Sequence, residues 1–277
     1  MTRILLALAM VTVLAGCPGT QGGPLSGPDV ARVAEVQATY DAEFRAAVAA
    51  DGVGVRAGRF SRTLAAVSGD RSGLSPAVAG FYSLLEGLVY LQTGQLGQAR
   101  AIAPEVGASA SALNAGGVER RNGVLAENFA DLVAVREAEA SLRRLTSNSA
   151  SENAQRVAVV RAIETRSAAV TRRLCRANTG AGDEGTAFVA AYTATSLVQA
   201  DRALARACLP LATDAELCAG FLNGREQLQD ARNLMAAFAG PLERQSGQIA
   251  GVTAAIERDL RANQDGAPLG AAVSPCG

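Results

Sequence analysis

The chain has 277 residues, a formal net charge of +0 and no histidine, and its 26 basic residues are all arginine. The missing histidine and lysine exclude Ser-His-Asp catalysis, imidazole metal ligands, Schiff-base lysines and the P-loop lysine. The balanced charge also lacks the excess of basic residues that is typical of nucleic-acid-binding domains.

The N-terminal segment is typical of a secretory signal. Arg3 precedes an apolar run at residues 4–15, which is shorter than the ~20 residues that span a bilayer as a helix. The run ends in Leu-Ala-Gly-Cys at residues 14–17, which resembles the lipobox of bacterial lipoproteins. The alternative is an ordinary signal peptide that is cleaved nearby and leaves Cys17 as a spare thiol.

The lipobox resemblance implies that residues 1–16 are removed and that Cys17 becomes a lipidated N-terminus. It would carry a diacylglycerol thioether and a third chain such as palmitate on its amine, and two or more acyl chains anchor firmly. The protein is then expected on the periplasmic side of the bacterial cell envelope. Pro18 stands where an Asp would indicate inner-membrane retention, which favours the outer membrane. Residues 17–28 are rich in Gly and Pro and predict a flexible tether of at most about 35 Å.

The remaining residues, 29–277, are predicted to form an all-α domain. Apolar residues recur at three- and four-residue steps, and no period-two strand pattern is present. The pattern predicts an antiparallel helical bundle or helical-hairpin array of about eight helices, with subdomains 29–114 and 115–277 as one arrangement. The predicted helices cover residues 28–50, 55–68, 76–93, 117–146, 151–177, 186–208, a stretch from the capping box at 213–216 to 238, and 241–263.

One helical pair resembles the middle of a tetratricopeptide repeat. The residues that carry the resemblance are Gly87, Tyr90, Gly94, Leu96 and Ala99. The resemblance implies two closely packed helices that are separated by a turn at Gly94. Pro104 is expected to interrupt the second helix early, where the family pattern continues. The alternative is an ordinary helical hairpin, since a solenoid normally needs three or more repeats.

Four cysteines follow the lipobox: Cys175, Cys208, Cys218 and Cys276. An even number in an exported chain predicts two disulfides, with three ways to pair them. In antiparallel helices Cys175 lies at the opposite end from Cys208 and Cys218, roughly 30 Å away, whereas a disulfide needs Cα atoms within about 7 Å. The predicted disulfides are therefore Cys208–Cys218 and Cys175–Cys276.

Two further motifs have functional and structural interpretations. Residues 180–185 match G-x-G-x-x-G, but a dinucleotide loop follows a strand, and here an Arg-rich helix precedes it. These glycines are better explained as the end of one helix and the start of the next. Arg172, Arg173 and Arg176 surround Cys175 and would suit a redox thiol or an anionic partner. The structural alternative is that they satisfy the helix dipole on a solvated face.

The sequence predicts a membrane-anchored envelope lipoprotein that acts as a non-catalytic helical interaction or scaffold module. Its expected partners are the membrane, through the N-terminal lipid, and an envelope protein. No catalytic residue, metal ligand or cofactor site is assigned, and nucleic acid is not expected. One alternative is a ligand-binding accessory lipoprotein of a transporter. Another is a carboxylate-dependent glycan hydrolase, although aromatic residues make up only 4% of the chain, few for a cleft that stacks sugars.

Overall fold

The computed structural model describes residues 27–51, 56–115, 120–147, 149–177, 184–208, 225–239, 254, 258 and 269–277. These residues are all-α, with no strand among them, and the helices pack antiparallel, as the sequence predicts. The lipobox, Cys218 and most of the last predicted helix lie outside the described residues.

Eight α-helices are present in the described ranges. They are α1 Gly27–Asp51, α2 Ser61–Val67, α3 Pro76–Gln92, α4 Leu96–Ala115, α5 Arg120–Arg144, α6 Ala150–Arg176, α7 Glu184–Cys208 and α8 Glu226–Leu234. A 3-10 turn, Ala57–Phe60, precedes α2, so the helix predicted at 55–68 is divided, and a π turn, Met235–Ala239, follows α8. Helix α4 packs between α3 and α5, and α7 contacts α5, α6 and α8.

Capping side chains explain where two of these helices begin. The Ser75 hydroxyl accepts a hydrogen bond from the Val78 amide at 3.3 Å, and Pro76 occupies the first helical turn. Proline suits that position because its missing N–H would have no helical partner there. At α6, the Ser149 hydroxyl accepts from the Glu152 amide at 3.2 Å.

The predicted apolar stripes face one core. In α3 and α5, Phe81, Leu84, Leu91, Phe129 and Leu132 are fully buried. The stripes of α6 and α7 contribute a second group of fully or nearly fully buried side chains: Ile163, Val170, Leu174, Leu197 and Leu204. Apolar packing on both sides of α5 therefore stabilises the body.

Two glycines of α3 permit close helix contacts in this core. A Cβ built on Gly87 of α3 would lie 2.6 Å from Cζ of Phe129 on α5. Gly80, two turns earlier, faces Ser109 of α4 in the same way, at 2.5 Å from its Cβ. The turn between α3 and α4 contains Gly94 with φ +74°, so the two helices form a hairpin, and the atoms nearest to Gly87 belong to Phe129 of α5.

Two local predictions are wrong. Helix α4 runs through Pro104, because Pro104 lies on the exposed side while Ala103 and Val106 beside it are buried and hold the helix in place. The helix predicted from the capping box to Phe238 is not continuous, since Arg225 has a left-handed φ of 51° and α8 begins after it. This conformation lets Arg225 pair with a buried carboxylate of α7.

Candidate functional site

The structure confirms one of the two predicted disulfides. Cys175 of α6 is bonded to Cys276, with the two Cα atoms 5.3 Å apart. Cys208, at the end of α7, is also disulfide-bonded, and its partner lies outside the described residues, so its pairing with Cys218 stays a prediction. Cys17 lies outside them as well.

The C-terminal segment that carries Cys276 crosses α8. Arg232 donates from Nη1 to the carbonyl of Gly270 at 2.9 Å, and the amide of Val273 donates to Oδ1 of Asn233 at 3.0 Å. The disulfide then joins this segment to α6. The three contacts tie the end of the chain to two helices.

A polar cluster lies between α5 and α6. Asp131 of α5 accepts hydrogen bonds from Arg166, at 2.9 Å, and from Arg173. Arg173 also donates from Nε to Oδ1 of Asn128 at 2.9 Å. Arg173, one of the arginines that the sequence places near Cys175, is therefore engaged with α5.

A second cluster lies between α5 and α7. Glu139, which is 2% exposed, accepts hydrogen bonds from Arg136 and from the hydroxyl of Ser196. The Arg136 guanidinium also lies 5.0 Å from the ring centroid of Tyr192, a cation–π contact. Burial raises the pKa of Tyr192, as does Glu139, while Arg136 lowers it. The phenol therefore stays neutral beside a paired carboxylate.

A third cluster joins α7 and α6 to α8. Asp201 is fully buried and accepts two hydrogen bonds from Arg225, one of them from Nε at 2.5 Å. Gln227 donates from Nε2 to Oε1 of Glu164 on α6 at 2.6 Å. Burial raises the pKa of Asp230, and the nearby Glu226 and Glu164 raise it further.

Glu43 of α1 caps a neighbouring helix. Its carboxylate accepts from the amide of Thr63 at 2.9 Å, from the Thr63 hydroxyl at 2.7 Å and from the amide of Arg62 at 3.1 Å. Burial acts to raise the pKa of Glu43, but these hydrogen bonds outweigh it and lower the pKa below the usual value of 4.5. One side chain thus satisfies two of the amides at the start of α2.

Arg71 joins three elements near α2. It donates from Nη2 to the Val67 carbonyl at 2.8 Å, and its Nη1 lies 2.7 Å from Oε1 of Glu105 on α4. It also pairs with Glu86 of α3, whose carboxylate accepts from the Tyr90 hydroxyl at 2.8 Å. Burial and Glu86 raise the pKa of Tyr90 to about 12.

Most polar groups in these clusters form hydrogen bonds or ion pairs within the protein. The four buried carboxylates of the described residues each accept a hydrogen bond from arginine: Glu43, Asp131, Glu139 and Asp201. Within the same residues, no group of three or more Asp, Glu, His or Cys side chains is placed to hold a metal ion. The arrangement is suited to holding helices together. Sequence periodicity could not find it, because charged residues on an amphipathic helix are assigned to solvent by default.

The outer face of α6 is the candidate interaction site. Helix α6 has six arginines and two glutamates, a formal charge of 6 − 2 = +4. Its two glutamates are half-buried and hydrogen-bonded within the protein: Glu152 accepts from the amide of Ser147, and Glu164 from Gln227. We define the α6 basic face as five arginines with their exposed small neighbours: Arg161, Ala162, Thr165, Arg166, Ala168, Arg172, Arg173 and Arg176.

The described surface exposes little apolar area elsewhere. Val273, 64% exposed, is the large apolar residue that stands out among the described residues. None of the described helices is both long and apolar enough to cross a membrane. Comparisons with protein-family models, curated proteins and solved structures found no match to this chain.

Proposed function

We propose that the protein is a lipid-anchored envelope lipoprotein whose helical body acts as a non-catalytic interaction module. The observation that carries the proposal is the α6 basic face, a largely exposed surface of arginine and small residues on a helix whose two glutamates are hydrogen-bonded within the protein. Such a face attracts anionic partners through long-range electrostatics.

The buried carboxylates support a binding role over catalysis. A glycan hydrolase needs one carboxyl group as a proton donor and a second as nucleophile or base, both open to substrate. Asp131, Glu139 and Asp201 instead accept hydrogen bonds from arginine between helices. Their oxygens are used to join helices, which favours a module that works by presenting its surface.

The anchor supplies the other half of the proposed mechanism. Acylation at Cys17 would confine the body to the membrane surface, and confinement raises the effective concentration of the body for envelope partners without strong contacts. Helix α1 begins at Gly27, so the tether predicted from the sequence is cut back to residues 17–26, which would let the body sample orientations within about 35 Å of the bilayer.

Site-specific photo-crosslinking in living cells tests the proposal. A photoreactive residue is placed at Thr165 on the α6 basic face or at exposed Gln98 on α4, with and without Cys17→Ala. We expect an envelope-protein adduct from at least one position in the acylated chain, and much less of it in Cys17→Ala. Adducts that are equally abundant without the anchor, or no adduct at either position, would refute the proposal.

A further inference from the structure

We propose that the α6 basic face docks on anionic phospholipid headgroups of the membrane to which the chain is anchored, and thereby orients the helical body. The inference rests on the proposed function, since it deepens the role of the same face. The protein would then contact the membrane in two ways, through its acyl chains and through electrostatic attraction between the arginines and the headgroups.

The charges on this face form a compact array. From Arg161 to Arg176 the helix advances about 22 Å, and five guanidinium groups lie along this length. Asp131 is shared by two of them, Arg166 and Arg173. Arg172 and Arg176 are exposed on the last turns. A guanidinium can donate two parallel hydrogen bonds to one phosphate, so exposed Arg172 and Arg176 suit phosphodiesters. Arg166 and Arg173 add positive charge beside them while they stay bonded to Asp131.

The small residues between the arginines favour a flat, charged surface over an acidic protein. Protein interfaces are built around buried aromatic and large aliphatic side chains, and this face offers Ala162, Thr165 and Ala168 instead. A phospholipid surface needs no such apolar centre, because each Arg near it gains about 1 kcal/mol from the surface potential alone. That attraction acts over roughly 10 Å, so the arginines must come close to the headgroups, as a face without bulky neighbours allows.

Vesicle binding by a chain that cannot be acylated tests the inference separately from the anchor. The mature chain, residues 17–277 without the predicted signal and with Cys17→Ala, is co-sedimented with vesicles of phosphatidylcholine alone, or of equal parts phosphatidylcholine and phosphatidylglycerol, at low and at physiological salt. The test variant adds Arg161→Gln, Arg172→Gln and Arg176→Gln. It keeps Arg166 and Arg173, which pair with Asp131.

The matched control removes the same charge from other helices. It carries Arg45→Gln, Arg100→Gln and Arg144→Gln, on α1, α4 and α5, where all three side chains are exposed. A third variant replaces Arg161, Arg172 and Arg176 with lysine, which keeps the charge. Far-UV circular dichroism and thermal unfolding of every variant confirm that the comparison is made between folded proteins.

We expect binding to phosphatidylglycerol vesicles that weakens with salt, and a partition coefficient about a hundred-fold lower in the α6 glutamine variant, at about five-fold per arginine. The control variant should lose much less, and the lysine variant should retain most of the binding. Equal losses in the α6 and control variants would overturn the inference, as would binding that is the same on phosphatidylcholine alone. Failure of Cys17 acylation in cells would refute the proposed function but leave these vesicle results unchanged.

Discussion

The substitution Gly87→Ala tests the packing of α3 against α5. The new Cβ would lie 2.6 Å from Cζ of Phe129 and 3.1 Å from both of its Cε atoms. Carbon atoms in ordinary contact are at least about 3.5 Å apart, so the ring or the helix must move by about 1 Å. Phe129 is fully buried, so the ring cannot move out into solvent.

The expected loss is the difference between two opposing effects. Overpacking a core costs about 1–3 kcal/mol, while alanine in a helix is favoured over glycine by up to about 1 kcal/mol. Gly87→Ala should therefore lower the free energy of unfolding by about 1–2 kcal/mol. The matched control is Gly107→Ala in α4, where a Cβ meets nothing within 4 Å, and this variant should be stabilised by about 0.5–1 kcal/mol.

Guanidinium chloride denaturation under non-reducing conditions, followed by far-UV circular dichroism, measures both variants. Opposite signs for the two substitutions would support the α3–α5 contact. If Gly87→Ala proved as stable as Gly107→Ala, the two helices could not approach as closely as described and this account of the core would be wrong.

Three other predictions use the same denaturation assay. Asp201→Asn leaves the largely buried Arg225 without its charge partner and should cost about 3–5 kcal/mol; a loss below about 1 kcal/mol would contradict the pairing. Cys276→Ser removes a cross-link between residues 101 apart and should lower the free energy of unfolding by about 4–5 kcal/mol by the loop-entropy estimate. A wild-type protein that is equally stable with and without reductant would contradict this prediction. The pKa of Glu43 is lower in the folded chain than its usual value of 4.5, so stability present above that pH is lost as the pH falls through the folded value. In Glu43→Gln the free energy of unfolding should depend less on pH in this acid range. An unchanged pH dependence would refute the capping role.

The periodic features of the fold could be predicted from the sequence. Apolar residues at three- and four-residue steps located α1, α3, α5, α6 and α7 to within three residues at each end. The Cys175–Cys276 disulfide followed from the antiparallel order, because chain length and helix rise alone decide which cysteines can meet. The first signal is local spacing, which the sequence contains directly, and the second adds to it only the antiparallel order of successive helices.

The features that the sequence did not reveal depend on tertiary contacts. Glu43 caps a helix about 20 residues further along the chain, and Asp131 pairs with arginines 35 and 42 residues away. Nothing in local spacing distinguishes these carboxylates from solvated ones. Local spacing does not predict the left-handed Arg225 either, since its partner Asp201 lies 24 residues earlier in the chain. Proline is a poor helix former, so the sequence predicts a break at Pro104, but the buried residues beside it keep the helix continuous.

Acylation of Cys17 is the central claim, and metabolic labelling with a clickable fatty acid measures it most directly. Cells that express the full chain or its Cys17→Ala variant are labelled, and the purified proteins are compared for incorporated lipid. The account predicts label on the wild-type chain and none on Cys17→Ala. A wild-type chain without label, or equal label on both proteins, would contradict it.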